Sequence, residues 1–185
     1  MYKFIYILIF TSCFLSIQAQ EGSIIDSTQG SSVKWNELDY REFTIKHPSD
    51  WTIDTSGTMG LNLIILSPLE IPEDQFRENL NFVLQQDLDS SMTLEQFVEL
   101  SETQILQMIT AAEIISSQKN STTTPPHHDI VFKGTQGIYD LKFVQRYILI
   151  DSKAYVLTFT AQQSNFNNYE QYILSMLDSF TFPGL

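Results

Sequence analysis

The 185-residue chain has one cysteine, Cys13, and three histidines, His47, His127 and His128. A single thiol cannot close an internal disulfide or build a thiolate metal site. Basic residues are scarce as well: ten Lys and Arg stand against 22 Asp and Glu, a formal charge of -12. Such a surface repels phosphate backbones and anionic lipid, which argues against nucleic-acid binding and electrostatic membrane association. No Gly-x-Ser-x-Gly elbow, His-Glu-x-x-His helix, phosphate-binding glycine loop or dinucleotide fingerprint occurs. Long apolar runs are missing too. The best one, Phe4 to Leu15, is broken by Thr11, Ser12 and Cys13 and falls short of the roughly 20 apolar residues of a membrane span.

What that run does fit is an export signal. Lys3 precedes it and Ser16-Ile17-Gln18-Ala19-Gln20 follows, the charged, apolar and small-residue order of a secretory leader. Residues 1–19 therefore read as a cleavable signal peptide, cut after Ala19, and the chain as exported, periplasmic or secreted. A rival reading rests on Phe10-Thr11-Ser12-Cys13, which resembles a bacterial lipoprotein processing site that would leave a lipid anchor on Cys13. Phe10 where leucine is usual and bulky Phe14 depart from that pattern. Under the favoured cleavage Cys13 leaves with the leader, no cysteine nucleophile is available, and no transmembrane segment remains. Loss of Lys3 takes the mature chain to a formal charge of about -13. Its composition, 43% hydrophobic with 12% aromatic residues, is that of a single globular domain with a sizeable core.

Residues 20–34 are mostly Gly, Ser, Thr, Gln and Asp around Ile24-Ile25 and read as a flexible lead-in to a domain over 35–185. Alternation in Arg41 to His47 predicts a half-buried strand, turned by Pro48-Ser49-Asp50-Trp51, with a short strand around Trp51 and Ile53. Leu61 to Leu66 and Asn79 to Gln86 read as strands, separated by an acidic, proline-containing loop with Glu70, Glu73 and Asp74. Thr93-Leu94-Glu95-Gln96 is a capping box. Leu94, Phe97, Ser101, Ile105, Met108 and Ala112 then recur at helical spacing, predicting an amphipathic helix from 94 to about 111. After a polar excursion over Asn120 to Pro126, the chain resumes as a strand through Ile130 and Phe132. Two long strands, Ile138 to Ile150 and Lys153 to Ala161, are joined only by Asp151-Ser152, a hairpin signal. Phe166, Tyr169, Ile173, Met176, Leu177 and Phe180 form a second amphipathic helix. Hairpin strands interrupted by one helix and closed by another imply an α+β fold, an antiparallel β-sheet with α-helices packed on it.

The order of these pieces is diagnostic: a strand into His47-Pro48-Ser49-Asp50-Trp51, the capped helix Thr93-Leu94-Glu95-Gln96-Phe97, the strand Ala154-Tyr155-Val156-Leu157-Thr158-Phe159-Thr160, and a closing helix with Asp178-Ser179-Phe180. Over about residues 38 to 183 this resembles the PsbP-like superfamily, which includes exported bacterial proteins of the DcrB type. The resemblance implies an αβα sandwich and an accessory or binding role. In one branch that role supports the oxygen-evolving side of photosystem II, and in another it binds a small nuclear GTPase; no residue pattern here identifies either partner. The expectation is a non-catalytic accessory protein of the cell envelope acting on another envelope protein or assembly, with no cofactor.

Candidate chemistry is sparse. His127-His128-Asp129 is the one cluster of metal-ligand types, and imidazole with carboxylate suits zinc, manganese or copper. The alternative function is thus a metal-binding protein or metal-assisted enzyme using those three residues, with a divalent metal completed by His47 or the Glu70, Glu73 and Asp74 group. Adjacent residues on an extended strand point to opposite faces, however, so both imidazoles reach one ion only where the backbone is irregular. Glu95, Glu99 and Glu102 share one side of the first helix and read as a solvated face. Trp35 and Trp51 either line a ligand groove or, for Trp51, pack behind the turn into the core.

Overall fold

The computed structural model describes residues 33–57, 60–71 and 74–184. The leader over 1–19, most of the lead-in, Cys13 and Glu73 lie outside the described residues. Nine strands and two helices are described, in the order β1 (Trp35–Tyr40), β2 (Phe43–Pro48), β3 (Thr52–Asp54), β4 (Leu63–Leu66), β5 (Asn79–Gln85), α1 (Leu94–Met108), β6 (Thr110–Asn120), β7 (His127–Gln136), β8 (Tyr139–Ile150), β9 (Lys153–Gln162) and α2 (Phe166–Asp178). Seven strands form one antiparallel sheet in the order β3-β4-β5-β9-β8-β7-β6, while β1 and β2 form a separate two-stranded sheet.

The sheet is the middle layer of a sandwich. Its central strand β9 is buried at every position from Ala154 to Ala161, which requires cover on both faces. Ala154 and Val156 pack with Phe132, Phe143 and Tyr147 beneath Leu94, Phe97, Val98 and Ile105 of α1. On the other face, Tyr155, Leu157, Phe159 and Ala161 join Phe43, Ile45 and Trp51 beneath Phe166, Tyr169, Ile173, Met176 and Leu177 of α2. The β1–β2 hairpin shares that second layer, tied to the tail by the Thr44–Thr181 bridge. The fold is α+β, with an antiparallel sheet between helical layers.

The elements follow from their sequences. The Thr93 hydroxyl accepts from the Gln96 amide at 3.2 Å, and the Gln96 side chain accepts from the Thr93 amide at 3.0 Å, a cap contributing about 1 kcal/mol. The β8–β9 hairpin turns through Asp151 and Ser152, both at positive φ, 48° and 60°. That backbone twist matches the flanking strands. Between β7 and β8, Gly137 supplies the positive φ of 61°.

Three local expectations are corrected. The first helix ends at Met108, not near 111, because Ile109 is already extended and Ala111 turns at φ 52°. Met108 is 64% exposed and Ala112 belongs to β6, so the buried stripe runs through Leu94, Phe97, Val98, Ser101 and Ile105 instead. Two strands, β1 and β6, are present where no strand is expected. The β6 register slips between Ile114 and Ser116, so Ile115 is inserted as a bulge and the two-residue alternation loses phase there.

Candidate functional site

The structure places His127, His128 and Asp129 at the start of β7, on regular backbone paired with Ile148, Tyr147 and Arg146 of β8. Alternation therefore separates the imidazoles. His127 and Asp129 face the α2 layer, and His128 faces α1. His127 is 7% exposed; its Nδ1 lies 3.0 Å from the Thr123 hydroxyl and its Nε2 3.7 Å from Asp129 Oδ2. His128 Nε2 lies 2.7 Å from the Ser117 hydroxyl, and its buried Nδ1 meets no partner. Among the described residues no three His, Cys, Asp or Glu side chains converge as a metal site would require. His47 is a buried β2 residue whose Nδ1 lies 2.8 Å from the Pro48 carbonyl.

Asp129 is instead the partner of Arg146. This guanidinium, 5% exposed, donates from Nε to Oδ1 and from Nη2 to Oδ2 of Asp129, both at 2.8 Å, and from Nη1 to Asp178 of α2 at 2.9 Å. A planar fork held on two sides ties the end of α2 to the sheet. The cluster sets the charge of its neighbour. Burial first, and then the Arg146 charge, hold His127 below the ordinary histidine value against the opposing pull of Asp129 and Asp178. Burial likewise lowers His128, with Glu102, Asp129 and Glu95 opposing. Neutral imidazoles suit a metal, but they lie on opposite faces, and the carboxylate beside His127 is engaged by the arginine. On α1, Glu95 and Glu99 are exposed as expected, and Glu95 pairs with Lys119 of β6.

At the other end of the sheet lies a recess of about 250 Å³ lined by Asp50, Trp51, Ser67, Pro68, Glu70, Asn168, Tyr169 and Tyr172. Three separate segments build it: the turn after β2, the loop after β4, and the first two turns of α2. Trp51 is 6% exposed and stacks on Tyr172, with centroids 6.0 Å apart and ring planes 25° apart. It thus serves both as core anchor and as wall, so the two readings of Trp51 are compatible. Trp35 leans on Tyr172, with ring centroids 6.2 Å apart. Glu70 is held by the Tyr169 hydroxyl at 2.9 Å and by the Asn165 side-chain amide at 3.3 Å. Asn165 gives up its capping bond to α2 in doing so.

Two buried polar groups sit at this end of the sheet. Ser67 is 1% exposed, and its hydroxyl lies beside the Tyr169 hydroxyl, to which it can donate. Glu78 is fully buried, and its carboxylate oxygens are approached by the backbone amides of Glu78 and Gln162 without a hydrogen bond of full geometry. Burial raises the Glu78 pKa, the amides of Glu78 and Gln162 oppose that, and Glu70 and Asp74 push the same way as burial. Tyr169 is raised by burial and by Glu78, so its hydroxyl stays protonated and donates to Glu70. The nearby cation is committed: Arg77 donates from Nε to the Ser67 carbonyl, and from Nη2 to the Leu66 carbonyl at 3.3 Å and the Thr52 hydroxyl at 3.2 Å. Beside the recess, Leu69 and Ile71 are 47% and 58% exposed. The sequence reads this loop as acidic and as a candidate to complete the histidine metal site, not as a wall of an aromatic recess, because its partners lie about 100 residues away on α2.

No family model matches the chain, and no curated protein matches it. Among solved structures, it is similar to the cyanobacterial PsbP protein, CyanoP, of Synechocystis sp. PCC 6803, at 13% identity and a TM-score of 0.63, over 85% of this chain and 98% of that one. It is also similar to LpqN, involved in cell envelope biogenesis of Mycobacterium tuberculosis, at 11% identity and a TM-score of 0.55, over 82% and 91% of the two chains. At such identities the likeness is one of fold, and the fold is PsbP-like.

Proposed function

We propose that the chain is an exported, non-catalytic accessory protein of the cell envelope that acts by contacting another envelope protein or assembly. The observation that carries this reading is the loop after β4, where Leu69 and Ile71 stand exposed next to an aromatic recess edged by Asp50 and Glu70. Apolar side chains within a polar rim, beside Trp and Tyr, have the composition of a protein contact surface. The leader read in residues 1–19 supports export. The PsbP-like fold supports an accessory role only as analogy of architecture.

Site-specific photo-crosslinking in the cells that make the protein tests this. A photoreactive side chain at Ile71 is expected to yield a discrete protein adduct. The same group at Leu106, exposed on α1 across the sheet, is the control. No adduct from position 71, or the same adducts from both positions, refutes the reading.

A further inference from the structure

The geometry points to an arginine side chain of the protein partner as the occupant of the recess formed by Asp50, Trp51, Ser67, Glu70, Tyr169 and Tyr172. This inference rests on the protein-contact reading above and names the chemistry of the contact.

Size is the first argument. A recess of about 250 Å³ lies below the roughly 300–1,000 Å³ of small-molecule and cofactor pockets. It suits one long side chain rather than a whole ligand. Charge is the second. Two exposed carboxylates, Asp50 and Glu70, stand on its rim. Neither nearby cation is paired with those carboxylates: Arg77 donates to the Ser67 and Leu66 carbonyls, and Lys142 lies over the Phe166 ring at 4.0 Å. On a chain with 22 acidic and ten basic residues, the recess attracts a positive group.

The third argument separates arginine from other cations. The walls are aromatic, with Tyr172 half-buried over Trp51 and Tyr169 edge-on to it at 6.1 Å. A planar guanidinium stacks on such a face while its fork meets carboxylates at the rim, which a hydrated ammonium does less well. Glu70 is already oriented, since each oxygen accepts one bond, from Tyr169 or Asn165, and keeps lone-pair capacity for another donor. The Ser67 hydroxyl, buried beside the Tyr169 hydroxyl, also lines the recess and keeps a lone pair for a further donor. An inorganic cation is poorly served here: the charged oxygens sit at the rim, and among the described residues they do not form an ion-binding group.

The test is an NMR titration of the mature chain with blocked tripeptides, Gly-Arg-Gly, its neutral citrulline isostere and its lysine counterpart, with calcium chloride in a separate arm. The Trp51 indole and the Asn168 amide report on the recess. The arginine peptide is expected to shift both saturably at millimolar concentration, and the citrulline and lysine peptides to bind about tenfold more weakly or worse. Glu70→Gln and Asp50→Asn, both at exposed positions, are each expected to weaken arginine binding about fivefold to tenfold, and added salt to weaken it further. Equal responses to arginine and citrulline, lysine matching arginine, calcium saturating the same signals first, or arginine binding untouched by both variants overturns the assignment. Failure here together with a discrete adduct from position 71 removes the arginine and leaves the protein-contact reading standing. Arginine binding without an adduct removes the protein partner, and with it this assignment, and leaves only a preference of the recess for a guanidinium.

Discussion

Replacing Arg146 with methionine tests how the far end of the sandwich is held together. The side chain is 7% exposed and joins Asp129, 28% exposed, to Asp178, 65% exposed. Breaking a buried pair from one side costs about 3–5 kcal/mol, because the remaining charge stays out of water. Here the contact to Asp178 is worth little, as for other exposed pairs, and Asp129 retains some access to solvent. The expected loss is therefore about 2–4 kcal/mol at pH 8, read as a fall in the urea midpoint with an unchanged m value. For an ordered domain of this size that corresponds to roughly 5–15 °C in Tm.

Two further measurements make the argument refutable. Asp129→Leu combined with Arg146→Met removes both buried charges, and is expected to be at least about 1 kcal/mol more stable than the sum of the two single losses implies. The pH dependence is the second. His127 is held below its ordinary value by burial and by Arg146. The unfolded chain thus takes up that proton more readily, and the wild type loses stability as pH falls through about 6.5. Without Arg146 the pull of Asp129 and Asp178 on the imidazole is no longer opposed by the guanidinium, its pKa rises, and its protonation supplies part of the missing positive charge. The deficit of Arg146→Met should therefore be smaller at about pH 5.5 than at about pH 8. A single-variant cost under about 1 kcal/mol, strict additivity of the double variant, or a deficit that grows on acidification refutes the reasoning.

Gly134→Ala in β7 places a Cβ 2.3 Å from the Ile109 side chain and 3.0 Å from the Thr110 carbonyl, so it should lower stability by roughly 1–3 kcal/mol in urea titrations; an unchanged midpoint would show that the α1–β6 joint yields freely. Glu78→Gln should stabilise the chain at neutral pH by about 1–3 kcal/mol, since it removes a carboxylate whose charged form is disfavoured by burial. The raised pKa of Glu78 means its penalty is absent below the unfolded value and grows as pH rises, so the advantage of the variant should vanish below about pH 4.5; an advantage independent of pH would contradict this. Metal analysis of the mature chain after zinc exposure and gel filtration is expected to find no equimolar ion, and one retained equivalent lost in His127→Ala or His128→Ala would restore the metal reading.

The legible parts of the fold were those whose signal is local. The capping box, the two helical stripes and the Asp151-Ser152 hairpin each announce themselves within a few residues. Two strands escaped for identifiable reasons. β1 lies in a two-stranded hairpin outside the main sheet, with burial only at Trp35, Leu38 and Tyr40, so its apolar spacing is three and then two. β6 is an edge strand with no fully buried residue. Its bulge at Ile115 transfers Glu113 and Lys119 to opposite faces: Glu113 pairs with Lys133, and Lys119 lies across from His128 on the α1 side. A pattern that changes phase midway cannot be read as alternation, yet the same bulge bends an otherwise exposed edge away from unwanted pairing.

The two candidate sites show the same contrast with a different outcome. His127, His128 and Asp129 attract notice because they are consecutive, and consecutive residues on a regular strand are the ones a sheet sends apart. What fixes Asp129 is Arg146, seventeen positions away, a residue with no distinguishing neighbours in the sequence. The recess is the converse case. Asp50-Trp51, Ser67 to Glu70 and Asn168 to Tyr172 carry no motif, and they meet only because β4, β5 and β9 are neighbours and α2 folds back over that layer. The sandwich commits the buried charge of Arg146 to pinning α2 at its C-terminal end. The N-terminal end of the same helix is left to present Asn165, Asn168, Tyr169 and Tyr172 around an oriented carboxylate. The link between the two ends is the single Arg146–Asp178 contact, and Asp178 is 65% exposed, so the contact is weak: Asp178→Asn should leave arginine-peptide binding at the recess nearly intact, and a several-fold loss in that variant would show that the recess depends on how the far end of α2 is held.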